Sequence, residues 1–193
     1  MPSRITDDVI GSLCEGDHPA FEVVYSELAP LVIGYLRSRG VSEPEAVCND
    51  VFLALLKQLS RLTGGPSGLR TLVFSIAHAR VVDELRARTR QPERTSYEPA
   101  LDTRVTESAE QSAVLTMSTE RIGQLLEQLP DDQRTVITLR VIADLSINQV
   151  AELLDRSPGA VKQLQRRGLL ALRELLSYPD VTSAASPTMT ELP

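Results

Sequence analysis

The chain has 193 residues, with 26 acidic against 20 basic, a formal net charge of −6 and a pI of about 5.0. Its 42% hydrophobic and 24% charged residues exclude a collagenous, wholly disordered or disulfide-scaffold protein, and no run of about 18 apolar residues is available to span a bilayer. Taken alone, an acidic total argues against a nucleic-acid binder, because phosphates repel net negative charge.

The N-terminus turns acidic after Arg4 and holds no apolar signal core, so a cytoplasmic location is expected. From there the apolar spacing predicts helix nearly throughout. Thr6 is placed to cap a short helix through about Leu13, with Asp7 and Asp8 in its favoured first turn. Asp17 is placed to cap the next, with Pro19 early and Phe21, Val24, Leu28, Leu31 and Tyr35 on one face. Pro30 should kink that helix and Gly40 end it. Ser42 and Glu45 have capping-box spacing, and the helix that follows carries Val51, Phe52, Leu55, Leu56 and Leu59. TGGPSG (Thr63–Gly68) reads as a breaker. A long helix from about Leu69 to Thr89 then has Leu72, Val73, Ile76, Ala77, Val81 and Leu85 as its stripe.

From Gln91 to about Ser112 the pattern fades into Pro, Ser, Thr and Glu, a composition that buries too little to offset its ordering entropy. A flexible acidic linker is expected there. Helices resume at Ala113–Gln128 and Asp131–Ala143. Ser146 and Gln149 form a second capping box, Asp155–Ser157 turns the chain, and Ser157 with Pro158 opens a last helix to about Leu176. A disordered tail should follow, from 177 to 193. The expected fold class is therefore all-α, two small helical domains joined by a flexible linker.

The net charge hides a segregation. Residues 61–90 carry 6 Arg and 2 acids, and residues 156–173 carry five bases with no acid among them. Two basic islands in an acidic chain point to local polyanion contact, against the bland alternative of solvated helix faces. Cys14, His18, Cys48 and His78 match no compact zinc-finger spacing, so neither a metal nor a cofactor is expected.

Two short helices around a tight turn, the second basic, form a helix-turn-helix. Ile147, Val150, Leu153 and Leu154 should be buried in the scaffold helix, and Val161 and Leu164 in the second. Arg156, Ser157, Lys162, Gln163, Arg166 and Arg167 are then left for DNA. Arg and Lys bond guanine edges or phosphates, Gln pairs with adenine, and the helix start offers free N–H groups to a phosphate. A plain helical hairpin would not need the acid-free basic run.

Leu129–Leu176 resembles region 4 of bacterial sigma factors, through LP–QR–V–LR, LS–VAELL and GAVK–L–RR–L–LR. FEVVYSELAPLVIGYLRSRG, NDVFLALLKQL and LRTLVFSIAHARVVDELRAR look like region 2 of the same family. The order of the halves, with no third domain between them, resembles the extracytoplasmic-function (group IV) sigma factors. The resemblance divides the chain into region 2 (1–90), linker (91–112), region 4 (113–176) and tail (177–193).

It implies a promoter-specificity subunit whose partners are core RNA polymerase, promoter DNA and an anti-sigma factor, without membrane insertion. Asn49 and Asp50, with Phe52, fall in the helix that docks on the β′ clamp helices. Asn49 and Asp50 should lie on the side away from Phe52 and Leu56. The loop at about Arg61–Gly68 stands where the family captures a flipped minus-10 base. Arg61, Arg70, His78, Arg80, Asp83 and Arg86 match strand-facing positions, the last five on the exposed side of their helix. Region 4 would read the minus-35 element while docked on the β flap. Three departures are visible: Leu72 stands where Trp is common, Ala79 where Asn is common, and Ala46 where an acid is common.

The alternatives are a helix-turn-helix regulator acting without polymerase, an enzyme, and a protein-binding decoy. The first leaves the 61–90 island unexplained. The second lacks a recognisable acid–base or metal constellation, and the third needs no basic recognition helix.

Overall fold

The computed structural model describes residues 3–90 and 121–177. The expected linker, the first turns of the helix expected from Ala113, and all of the expected tail beyond Ser177 lie outside the described residues. Those described build helices and turns only. They are α1 (Asp7–Cys14), α2 (His18–Ser38), α3 (Pro44–Leu56), a 3-10 turn (Leu59–Arg61), α4 (Gly65–Arg90), α5 (121–127), α6 (Asp131–Val141), α7 (Ile147–Leu153) and α8 (Pro158–Ser177).

Local chemistry sets most boundaries. The Thr6 hydroxyl accepts from the Val9 N–H, and the Asp17 carboxylate from the Ala20 N–H at 3.1 Å. α2 runs through Pro30 as one helix. The capping box at α7 is complete, with Ser146 N–H donating to Gln149 Oε1 at 2.7 Å and Gln149 N–H to Ser146 Oγ at 3.3 Å.

The box expected at α3 is absent. Glu43 occupies the cap position without a side-chain bond. Ser42 instead donates from N–H and hydroxyl to Glu84 of α4, at 3.1 and 2.9 Å, and Glu45 pairs with Arg37 at 2.5 Å. Tertiary partners took both halves of the motif. α4 also begins earlier than expected, because Gly64 and Gly65, at φ +81° and +59°, complete the break within three residues. Gly68 then sits where a Cβ would lie 1.7 Å from the Thr63 carbonyl oxygen, so this turn closes only around glycine.

The first-half core gathers Val24, Leu28, Val32, Tyr35, Val51, Phe52, Leu55, Val73, Phe74 and Ala77 between α2, α3 and α4. Its aromatic members are interlocked. Phe21 and Phe52 meet edge-on at 6.2 Å, Tyr25 and Phe52 lie 4.7 Å apart, and Tyr35 meets Phe74 edge-on at 5.8 Å. Each such burial stabilises by about 1.5–3 kcal/mol, with about 0.5–1.5 more from each aromatic pair. Leu56 and Leu85, expected in the core, are 41% and 37% exposed. Both fall on the outward edge of a stripe already filled by their neighbours.

In the second half, Val136, Leu139, Ala143, Leu145, Val150, Ala151 and Val161 form the centre of α6–α8. Gly168 lets α8 lie on α6, since a Cβ there would meet Ile137 Cγ1 at 2.9 Å. The two halves pack against each other, and most of their buried apolar residues make one continuous cluster, with Leu126, Leu129 and Ile137 in a second, smaller one.

Candidate nucleic-acid and polymerase interfaces

The helix-turn-helix is built by a short chain of backbone events. α7 ends at Leu153, and Arg156 N–H returns to the Ala151 carbonyl at 2.9 Å. Asp155 takes a left-handed φ of +51°, a conformation Asp tolerates better than most residues. The Ser157 hydroxyl then accepts from the Ala160 N–H at 3.2 Å and starts α8. Val161 is fully buried and Leu164 partly, which fixes the roll of α8. Ser157, Lys162, Gln163, Arg166 and Arg167 are consequently exposed, as is Arg156. Arg156 alone of these basic residues pairs with a described acid, Asp132, at 2.7 Å. Within the scaffold helix Val150 and Ala151 are buried, while Ile147, Leu153 and Leu154 are only partly covered.

Positions on α4 divide into two groups. Arg61 (in the preceding turn), Arg80, Asp83 and Arg86 are exposed. Arg70 and His78, expected on the exposed side, are not. Arg70 donates to the Ala143 carbonyl at 3.3 Å and lies 3.9 Å from Glu27. His78 Nδ1 shares a hydrogen bond with the Tyr35 hydroxyl at 2.8 Å. Burial, then the Arg39 charge, holds the His78 imidazole below its ordinary pKa, with Asp131 opposing. Burial likewise pushes the Tyr35 phenol well up. The packing of α6 and α7 on α2 and α4 is what covers this side. A groove of about 610 Å³ remains there, between Arg61, Gly64, Ser67 and Thr71 of the first half and Gln149 and Glu152 of the second.

On α3, Asn49 and Asp50 are exposed, and the Tyr25 hydroxyl donates to Asn49 Oδ1 at 3.0 Å. Phe52 is only 2% exposed, so its ring cannot touch a partner directly; it holds α3 against Phe21 and Tyr25 instead. The apolar part of the outer face is Leu53, 57% exposed, with Leu56. Sequence reasoning missed Leu53 and put Leu56 on the side away from Asn49; the structure corrects that placement, because Asn49, Leu53 and Leu56 are spaced i, i+4, i+7 and share the exposed face.

Cys48 is buried and its thiol is pushed up to about 11 by desolvation and then Glu45, whereas Cys14 is exposed. Among the described residues no three His, Cys, Asp or Glu side chains converge on a possible metal position, and no helix is long and apolar enough to cross a membrane.

An all-α chain with a basic recognition helix in a helix-turn-helix defines the class of transcription proteins that read duplex DNA. Residues 119–172 match the model of the family "Sigma-70, region 4". The chain is 33% identical over 181 residues to the ECF RNA polymerase sigma factor ShbA of Streptomyces griseus, covering 86% of this chain and 95% of the relative. It is 31% identical to SigD of Mycobacterium tuberculosis, covering 90% and 85%. The solved sigma factor RpoE of Bartonella quintana, in complex with the anti-sigma factor NepR, superposes with a TM-score of 0.60 at 19% identity, covering 83% and 98%. CnrH in complex with the cytosolic domain of CnrY gives 0.63 at 20%, covering 89% and 96%. The chain belongs to the extracytoplasmic-function (ECF) RNA polymerase sigma factors.

Proposed function

We propose that the chain binds core RNA polymerase and directs it to promoters, with 1–90 as region 2, 113–176 as region 4 and 91–112 as the linker between them. The observation that carries this reading is the exposed, nearly acid-free basic face of α8, joined in one chain to a basic α4 and a mixed polar–apolar face on α3. Lys162, Gln163, Arg166 and Arg167 would enter the minus-35 major groove, with Ser157 and the free N–H groups of the α8 start on a phosphate. Arg156 would have to exchange Asp132 for DNA. Arg61, Arg80, Asp83 and Arg86 would face the minus-10 strand, joined by Arg70 and His78 once uncovered. Asn49, Asp50, Leu53 and Leu56 would dock on the clamp helices, with Phe52 acting from beneath, and region 4 would engage the β flap.

Opening the duplex costs about 1.4 kcal/mol per base step, which base capture and backbone contacts repay. No catalytic chemistry and no cofactor is assigned to the chain, and the protein works with its polymerase in the cytoplasm. The solved RpoE of Bartonella quintana is held by an anti-sigma factor, which supports an anti-sigma partner here as well. Family membership disfavours a helix-turn-helix regulator acting without polymerase. Gel retardation of promoter DNA tests the reading. The chain alone should shift it weakly and the chain with core polymerase strongly; equal, tight shifts without core would contradict it.

A further inference from the structure

Three rings lie under one edge of the α3 face. Phe21 and Tyr25 stand four residues apart on α2, with centroids 5.8 Å apart, and Phe52 of α3 closes the set at 6.2 Å from Phe21 and 4.7 Å from Tyr25. Tyr25 is half-buried and flanked by both Phe rings, so its own ring has little freedom. Its hydroxyl emerges at the rim and donates to Asn49 Oδ1 at 3.0 Å, across the junction of α2 and α3.

That single bond decides what Asn49 shows. An Asn in the middle of a helix is unfavourable when free, because its short side chain competes for nearby backbone groups. Here Tyr25 takes the carbonyl end, and the Nδ2 end, which donates to no described residue, is left to the outside. An exposed Asn without such a hold turns among rotamers and offers its acceptor as readily as its donors. Held by Tyr25, it presents two N–H donors at the head of the strip that continues through Leu53 and Leu56, with the exposed Asp50 beside it. An acceptor on a partner then finds the donors in place, and one side chain has already been ordered before docking.

We propose that Tyr25 is a positioning residue for polymerase docking: its hydroxyl fixes the Asn49 amide with the N–H groups outward, so that Asn49 meets a carboxylate or carbonyl oxygen of the polymerase as a donor. Tyr25 itself stays off the polymerase and acts through Asn49. The inference rests on the docking role proposed for the outer face of α3. It adds a residue from α2 to that face and gives its polar end a direction.

The test measures the affinity of the full chain for core polymerase by equilibrium titration, beside thermal melting. Tyr25→Phe removes the hydroxyl and keeps a ring between Phe21 and Phe52. Its melting temperature should stay close to that of wild type while polymerase affinity falls about fivefold, as expected when one interface side chain must be ordered on binding. In an Asn49→Ala background, Tyr25→Phe should change nothing further. Asn49→Asp keeps an acceptor for the Tyr25 hydroxyl but replaces the outward donors with a second carboxylate, and it should bind worse than Asn49→Ala. Wild-type affinity in Tyr25→Phe would overturn the positioning role. So would a further loss on adding Tyr25→Phe to Asn49→Ala, which would put the Tyr25 hydroxyl at the interface itself. Asn49→Asp binding as well as wild type would overturn the outward donor. If Tyr25→Phe melts early, titration below its transition decides through the same pair of backgrounds. Leu53→Asp checks the docking face separately: unchanged affinity there refutes the face and this inference together, whereas a loss with Leu53→Asp and none with Tyr25→Phe refutes the inference alone.

Discussion

On α8, Lys162, Gln163, Arg166 and Arg167 stand in solvent, and no described acid pairs with them. On α4 and its lead-in turn, Arg70 and His78 are engaged inside the molecule, while Arg88 is bonded to Glu84 four residues earlier and to Ser42. The difference follows the distribution of acids. Residues 156–173 contain none, so Lys162, Arg166 and Arg167 have no acid beside them on their own helix and Arg156, ahead of it, reaches Asp132 outside the segment, whereas α4 interleaves Asp83 and Glu84 and packs near Glu27. A whole-chain charge of −6 could not show this. The second half leaves its basic face open to solvent, and the first half keeps part of its basic face covered.

The sharpest way to break the contrast is to confuse a support with a contact. Phe52→Ala should cost about 3–5 kcal/mol of stability, because it empties the aromatic cluster under α3; urea midpoints check this, and polymerase capture should fall only as folding does. Arg166→Ala with Arg167→Ala should weaken minus-35-dependent initiation by about 1–3 kcal/mol for each side chain that reads a base edge, and for each that holds a phosphate the salt slope should drop by about one. Arg156→Ala should cost less than either, since its wild-type side chain must first leave Asp132. Leu53→Asp with Asn49→Ala and Asp50→Ala should weaken co-purification with core polymerase while shifting stability by only about 0.5 kcal/mol or less per site, as expected for surface changes; a large fall in melting temperature would place these residues in the core instead.

The smallest effect is a pH dependence of the covered side. His78 is held below 6.5; it hydrogen-bonds Tyr35 of α2 and feels the charges of Arg39, which caps the end of α2, and of Asp131 of α6. It resists protonation in the folded chain, while the unfolded chain takes up the proton near 6.5. Its stability contribution is therefore complete above that pH and is lost as pH falls below it. Asp131, held below 3.8 chiefly by its hydrogen bond from Arg39, contributes fully above 3.8 and loses that contribution as pH falls through its lower folded value. Denaturation midpoints should be level above about pH 7 and decline through pH 6 and below; His78→Gln should flatten the upper part of that decline.

Much of this was legible in the sequence where the cause is local. Thr6, Asp17, Ser146 and Ser157 all cap as their spacing requires, and burial of Val161 is enough to expose the basic residues of α8. What was hidden depends on partners far away in the chain. Ser42 and Glu45 had the spacing of a capping box but found Glu84 and Arg37. Arg39 reads locally as a residue before a helix-ending Gly40, and nothing nearby announces Asp131, 92 positions on. Gln149 fulfils its local capping role and still has an amide free for Ser67 and Thr71. Leu53 and Leu56 were within reach of helical periodicity, but Phe52 drew attention as the larger apolar residue and proved to be their support.

The most direct test of the central claim is start-site mapping of transcription reconstituted from core polymerase and this chain on fragmented genomic DNA. Discrete start sites should appear that core polymerase alone does not use, preceded by two shared motifs at fixed spacing, and the upstream motif should lose its influence with Arg166→Ala and Arg167→Ala. Start sites identical to those of core alone, or an upstream motif unaffected by the two substitutions, would contradict it.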